Sequence, residues 1–267
     1  LSIAGIIRDV FIKMFNIKSA EVNTSLIEEF SYPKFGPGQL WETAAEEFVA
    51  MGGTLKKGCK AVGLNSENGK ITSVIYEENG EKVTLCADVV ISSMPLKDLV
   101  AAETAPVDGD IKRIAEGLPY RDFVTVGLLL NKLNIKNETE LKTLNNIVPD
   151  CWIYVQDVGV KLGRIQIFNN WSPYLVKNPE ETVWIGLEYF CTEGDEYWNM
   201  SGEEWKDLGV SELIKMGVIN ADEKVLDWHC EKVKKAYPAY FDTYAEIDRL
   251  IEHLDSFENL YCVGRNG

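Results

Sequence analysis

Apolar residues recur along this chain with two different periods. Ile3, Ile6, Ile7, Val10, Phe11 and Met14 fall on one side of a helix over residues 3–15, because positions three and four apart share a face. Leu40, Trp41, Ala44, Ala45, Phe48 and Val49 repeat that spacing between residues 39 and 51. The pattern predicts a helix that buries this stripe and stops at Gly52-Gly53. The period then falls to two. Residues 54–56, 60–64, 71–77 and 82–86 read as short strands. Asn68-Gly69 and Asn79-Gly80 mark tight turns between the last three, since Asn-Gly is a strong hairpin signal. Residues 87–93 form an apolar strand that ends in Ser92-Ser93, and Pro95 opens a helix, a position where its missing N–H costs nothing.

The rest of the chain has another texture. Helical spacing covers residues 96–101, 111–117, 202–216 and 244–254. Runs at 123–130, 152–156, 164–169, 182–190 and 225–235 are rich in β-branched and aromatic residues, and suit an antiparallel sheet. A last strand follows at 260–263. The fold class is therefore mixed α+β. It combines a largely antiparallel sheet flanked by helices with a second part carrying a three-stranded meander. No repeat or low-complexity linker divides the chain.

Charge narrows the function classes. The 267 residues carry 42 acidic and 27 basic side chains, a net charge of −15. Such a surface does not neutralise phosphates, so nucleic acid is excluded as a partner, and so is docking on anionic lipid. No apolar run approaches the roughly 18 residues of a membrane-spanning helix. The six cysteines are scattered without a CxxC. They read as three bridges in a secreted protein or, preferably, as small buried thiols in a reducing cytoplasm. His229 and His253 are the only histidines. His229-Cys230 alone does not make a zinc set, and no metal site is assigned. There is no G-x-S-x-G elbow for a serine nucleophile. The acidic stretch at 193–207 reads as a solvated face or loop. Trp41 and Trp171 read as core aromatics.

Three strings then carry a resemblance. Phe30-x-Tyr32-Pro33-Lys34-x-Gly36-Pro37-Gly38-Gln39-Leu40-Trp41-Glu42 is similar to the segment that leads into a helix in flavin-containing amine oxidases, protoporphyrinogen oxidases, phytoene-desaturase-like enzymes and UDP-galactopyranose mutases. Ala87-Asp88-x-Val90-Ile91-Ser92-Ser93-x-Pro95 follows after the meander, as it does there. Asn259-Leu260-Tyr261-x-Val263-Gly264-Arg265 looks like the last FAD-binding strand. Tyr237-Pro238-x-Tyr240 is similar to the protoporphyrinogen-oxidase-like branch. Order and spacing match over nearly the whole chain. Two departures stand out. The G-x-G-x-x-G of a dinucleotide-binding βαβ unit is absent, and no helix follows Gly264. The resemblance therefore implies an internal piece of a flavoenzyme.

It also implies a division: residues 1–38 and 96–257 as a substrate domain, with residues 39–95 and 258–267 as a partial FAD-binding domain. The cofactor would be FAD, bound by the longer protein and not stably by this chain alone. Val62, Ser92, Ser93, Pro95, Gly264 and Arg265 match positions near the dinucleotide. For Val62 an ordinary strand valine is the other reading, and for Ser92 and Ser93 a helix cap. Tyr32, Lys34, Gly36 and Gly38 match a loop facing the flavin–substrate region, where the glycines also serve loop geometry and Lys34 is either solvated or meets an anionic substrate. The implied activity is hydride transfer from a small-molecule substrate to flavin, with no catalytic residue named. A flavin-dependent isomerase of the mutase kind is the alternative, for which an arginine pair on the sheet, Arg121 and Arg164, would hold a diphosphate. A non-catalytic binding module is the third.

Overall fold

A computed structural model of the chain describes residues 31–264; the helix expected at residues 3–15 and the position of Arg265 lie outside them. Helix α1 (Pro37–Ala50) leads into a meander of β1 (Lys60–Glu67), β2 (Lys70–Glu78) and β3 (Glu81–Cys86). The two Asn-Gly turns fix its register, with Asn68 and Asn79 in the left-handed region at φ 50 and 54, as the tightest hairpin turns require. Strand β4 (Val90–Ser92) precedes α2 (Leu96–Ala101) and α3 (Gly109–Gly117). Asp108 caps α3 by accepting from the backbone of Asp110 and Ile111.

Five antiparallel strands follow: β5 (Tyr120–Leu130), β6 (Trp152–Tyr154), β7 (Arg164–Ile167), β8 (Val183–Cys191) and β9 (Asp227–Pro238). They pair in the order β6-β7-β8-β5-β9. One face carries Val124, Val126, Leu128, Ile165, Ile167, Ile185, Leu187 and Tyr189, all sealed from solvent. Helix α4 (Gly202–Lys215) covers it with Trp205 and Leu213. Ser201 and Glu204 cap α4 reciprocally, so part of the acidic stretch at 193–207 is a helix start. Alternation with period two turns the remaining side chains to the other face.

A second core joins Leu64 and Ile71 of the meander to Leu99 of α2, Ile114 of α3, Leu250 and Leu254 of α5 (Ile247–Asp255), and Leu260 of β10 (Leu260–Cys262). Strands β10 and β4 are parallel. Asn259 locks them to the meander: its amide accepts from Ile71 N–H and donates to the carbonyls of Ile71 and Asp88, all at 2.8–2.9 Å.

Several expectations fail. The strand expected at 164–169 ends at Ile167, and Phe168–Trp171 forms a helical turn. Residues 54–56 form no strand; the segment bends toward Gly58 instead. The strand expected at 87–93 shortens to Val90–Ser92, because Val90 is the first residue to find a partner on β10. Helix α1 forms where expected but buries no residue, and Trp41 is 70% exposed rather than core. None of the described elements covers its apolar stripe.

Candidate functional site

Two parallel strands end side by side, which gathers several of the residues singled out above. Ser92 closes β4, and Val263 N–H, just past β10, donates to the Ser92 carbonyl at 2.8 Å. Met94 N–H donates to the Ser92 hydroxyl at 3.2 Å, so this side chain is engaged locally as a turn cap. Gly264 takes φ 86, and a Cβ there would lie 3.8 Å from Ser93 Cβ. The backbone at this point is bare and in a conformation that side-chain-bearing residues disfavour. Ligands in open α/β sheets collect at such carboxyl ends. Val62 and Pro95 line one open cleft of about 500 Å³ with Cys59, Met94, Asp98 and Lys235. The Lys235 ammonium binds both oxygens of Asp98 at 2.6 Å.

The Tyr32–Gly38 loop packs elsewhere, on the corner after β7. Ser172 donates its hydroxyl to the Lys34 carbonyl at 2.7 Å. The Lys34 ammonium sits 4.1 Å from the Tyr174 ring centroid and 5.2 Å from that of Phe35, so its charge rests on aromatic faces. Gly36, at φ 87, abuts Leu175, and Gly38 opens onto free space in the first turn of α1. Tyr32 lies 5.1 Å from the Trp171 ring. Burial pushes its hydroxyl pKa up, and Cys151 adds to the rise. Trp171 is thus half-buried in a ring contact with the loop.

The outer face of the sheet holds residues that the sequence reading did not collect. Trp152 and Tyr154 stand side by side on edge strand β6, their rings 6.2 Å apart and 15° from parallel. Trp171 meets Trp152 edge-on at 6.2 Å. The Arg164 guanidinium lies between Trp152 (4.8 Å) and Phe190 (5.0 Å). It forms an ion pair with Glu188, the directly opposed residue on β8, their side chains only 12% and 5% exposed. Gln166 donates to the same carboxylate. Burial opposes the Arg164 charge, but Tyr237 and Glu188 outweigh it and hold the guanidinium above its ordinary pKa. Arg164 is therefore paired within the sheet, and Arg121 is an exposed side chain on β5. One sequence signal pointed here: Arg164, Gln166 and Glu188 are polar positions alternating with Ile165, Ile167 and Leu187.

Among the described residues no group of three or more His, Cys, Asp or Glu could hold a metal, and no helix is long and apolar enough to cross a membrane. All six cysteines are free thiols; Cys191 is buried, Cys86 exposed and the others half-buried.

No protein-family model and no characterised protein matches the chain by sequence. Solved structures do match. A reduced UDP-galactopyranose mutase superposes with a TM-score of 0.71 at 17% identity, over 88% of this chain and 47% of that one. A protein from Exiguobacterium sp. 255-15, assigned as a protoporphyrinogen oxidase, gives 0.63 at 14% identity, over 96% and 50%. Putrescine oxidase bound to putrescine gives 0.59 at 12% identity, over 85% and 46%. The fold is thus flavin amine-oxidase-like and α+β, and the chain spans about half the length of these structures.

Proposed function

We propose that this chain is the substrate-facing half of an FAD-dependent oxidoreductase, with residues 1–38 and 96–257 on the substrate side and residues 39–95 and 258–267 on the cofactor side. The observation that carries the reading is the meeting of Ser92, Ser93 and Gly264 at the carboxyl ends of two parallel strands, in a flavin amine-oxidase-like fold. The bare backbone at Gly264 suits close approach of a pyrophosphate, and Arg265 would follow it as a charge partner. Val62 and Pro95 would meet the dinucleotide from their shared cleft. When bound, the flavin supplies the hydride acceptor, and the protein supplies binding and orientation. Tyr32, Lys34 and their loop would border the substrate. The six free thiols support the cytoplasm as the compartment.

The test is a flavin spectrum. A longer polypeptide that contains this chain, purified gently, is expected to be yellow, and the 267-residue chain alone colourless. Gly264→Val in the longer polypeptide is expected to lower its flavin content. A flavin-free longer polypeptide would overturn the proposal.

A further inference from the structure

The geometry points to the outer face of the sheet, built on Trp152 and Tyr154, as a binding platform for an uncharged, flat ring. It rests on the reading above only in taking this face as the substrate side.

Three observations carry it. First, the two rings form a stack open to solvent. They lie 15° from parallel with centroids 6.2 Å apart on an edge strand, and are 38% and 66% exposed, so a further flat ring can extend the stack. Second, the platform is walled. Trp171 stands edge-on to Trp152 on one side, with Tyr32 against Trp171, and Phe190 lies across Arg164. Third, the charge beneath is already balanced. Arg164 is flanked by Trp152 and Phe190 and paired with Glu188, which also accepts from Gln166. An anion arriving on these rings meets a guanidinium that is buried and ion-paired, and a cation meets a carboxylate in the same state. Either would give up hydration without a partner. A neutral ring gains aromatic contact at no such cost.

The experiment is equilibrium dialysis of the chain, without flavin, against three probes that share one ring: indole, indole-3-acetate and tryptamine. Indole is expected to bind about tenfold tighter than either charged analogue, and Trp152→Ala to weaken it by a similar factor. Glu188→Gln leaves Arg164 uncompensated and is expected to reverse the order in favour of indole-3-acetate. Far-ultraviolet circular dichroism of each variant checks its fold. If Glu188→Gln does not fold, Arg164→Met leaves Glu188 uncompensated and is expected to reverse the order in favour of tryptamine; an unchanged order would overturn the proposal. Binding of either charged probe as tight as indole, or indole binding indifferent to Trp152→Ala, would overturn the proposal. Because no flavin is present, that failure is separate from failure of the flavin spectrum.

Discussion

Two regions of this molecule, the five-stranded sheet and the surroundings of the meander, treat apolar surface in opposite ways. In the five-stranded sheet every second residue of β5 and β8 is sealed beneath α4, with Leu187 and Ile185 at no exposure at all. Around the meander, apolar side chains stand in the open. Helix α1 buries nothing, every residue of β3 is exposed, and Ile91 in the short parallel pair is 68% exposed. Parallel strands are normally covered on both faces, so the β4–β10 pair is a sheet of unusual poverty. The contrast teaches that periodicity tells which face of an element is apolar. It does not tell whether anything covers that face.

The sharpest way to break this comparison is to delete equal bulk from both regions. Leu187→Ala in the sheet core is expected to cost ~2–5 kcal/mol of unfolding free energy, as cavities in packed cores do. Leu40→Ala on α1 is expected to stay within ~0.5 kcal/mol, as surface changes do. Chemical denaturation reads both, and similar costs would mean that α1 is covered after all. A smaller effect tests how the second core is closed. Asn259→Ala leaves the Ile71 N–H and two carbonyls without their partner. The expected loss is ~1–3 kcal/mol, with hydrogen exchange at Ile71 accelerated ahead of that at Leu187.

The smallest effect is a pH dependence confined to the sheet core. Burial pushes the Cys191 thiol up from 9.0 to about 11, with Asp195 and Asp122 adding to it. The folded state therefore holds this proton more tightly than the unfolded chain. Its contribution is complete below the unfolded value, and is lost as pH rises from about 9 through about 11. Stability of the Cys191→Val variant is expected to fall less steeply over that window than that of the parent chain. Equal slopes would remove the thiol from the account.

Much of the fold was legible because its cues are local. Asn68-Gly69 and Asn79-Gly80 dictated the meander, and β-branched and aromatic residues along 123–130 and 182–190 located β5 and β8. Part of the candidate site was also legible, since Ser92, Ser93 and Gly264 belong to strings that resemble known ones. The Arg164–Glu188 pair was not. It exists only because β7 and β8 pair in one register, and a slip of one strand by one residue would turn its side chain to the opposite face. The stripe on α1 misled for the opposite reason: its spacing is correct, and the burial inferred from it depends on neighbours that no local pattern specifies.

The Asn259–Ile71 lock also sets a timetable for biosynthesis. Its two halves are 188 residues apart, and at ~5–20 residues per second the ribosome separates them by roughly ten to forty seconds. The strands of the sheet all emerge within that interval. Through it the Ile71 N–H and carbonyl lack the Asn259 amide that pairs with them. Closure of the second core therefore waits on synthesis of Asn259, not of the meander itself.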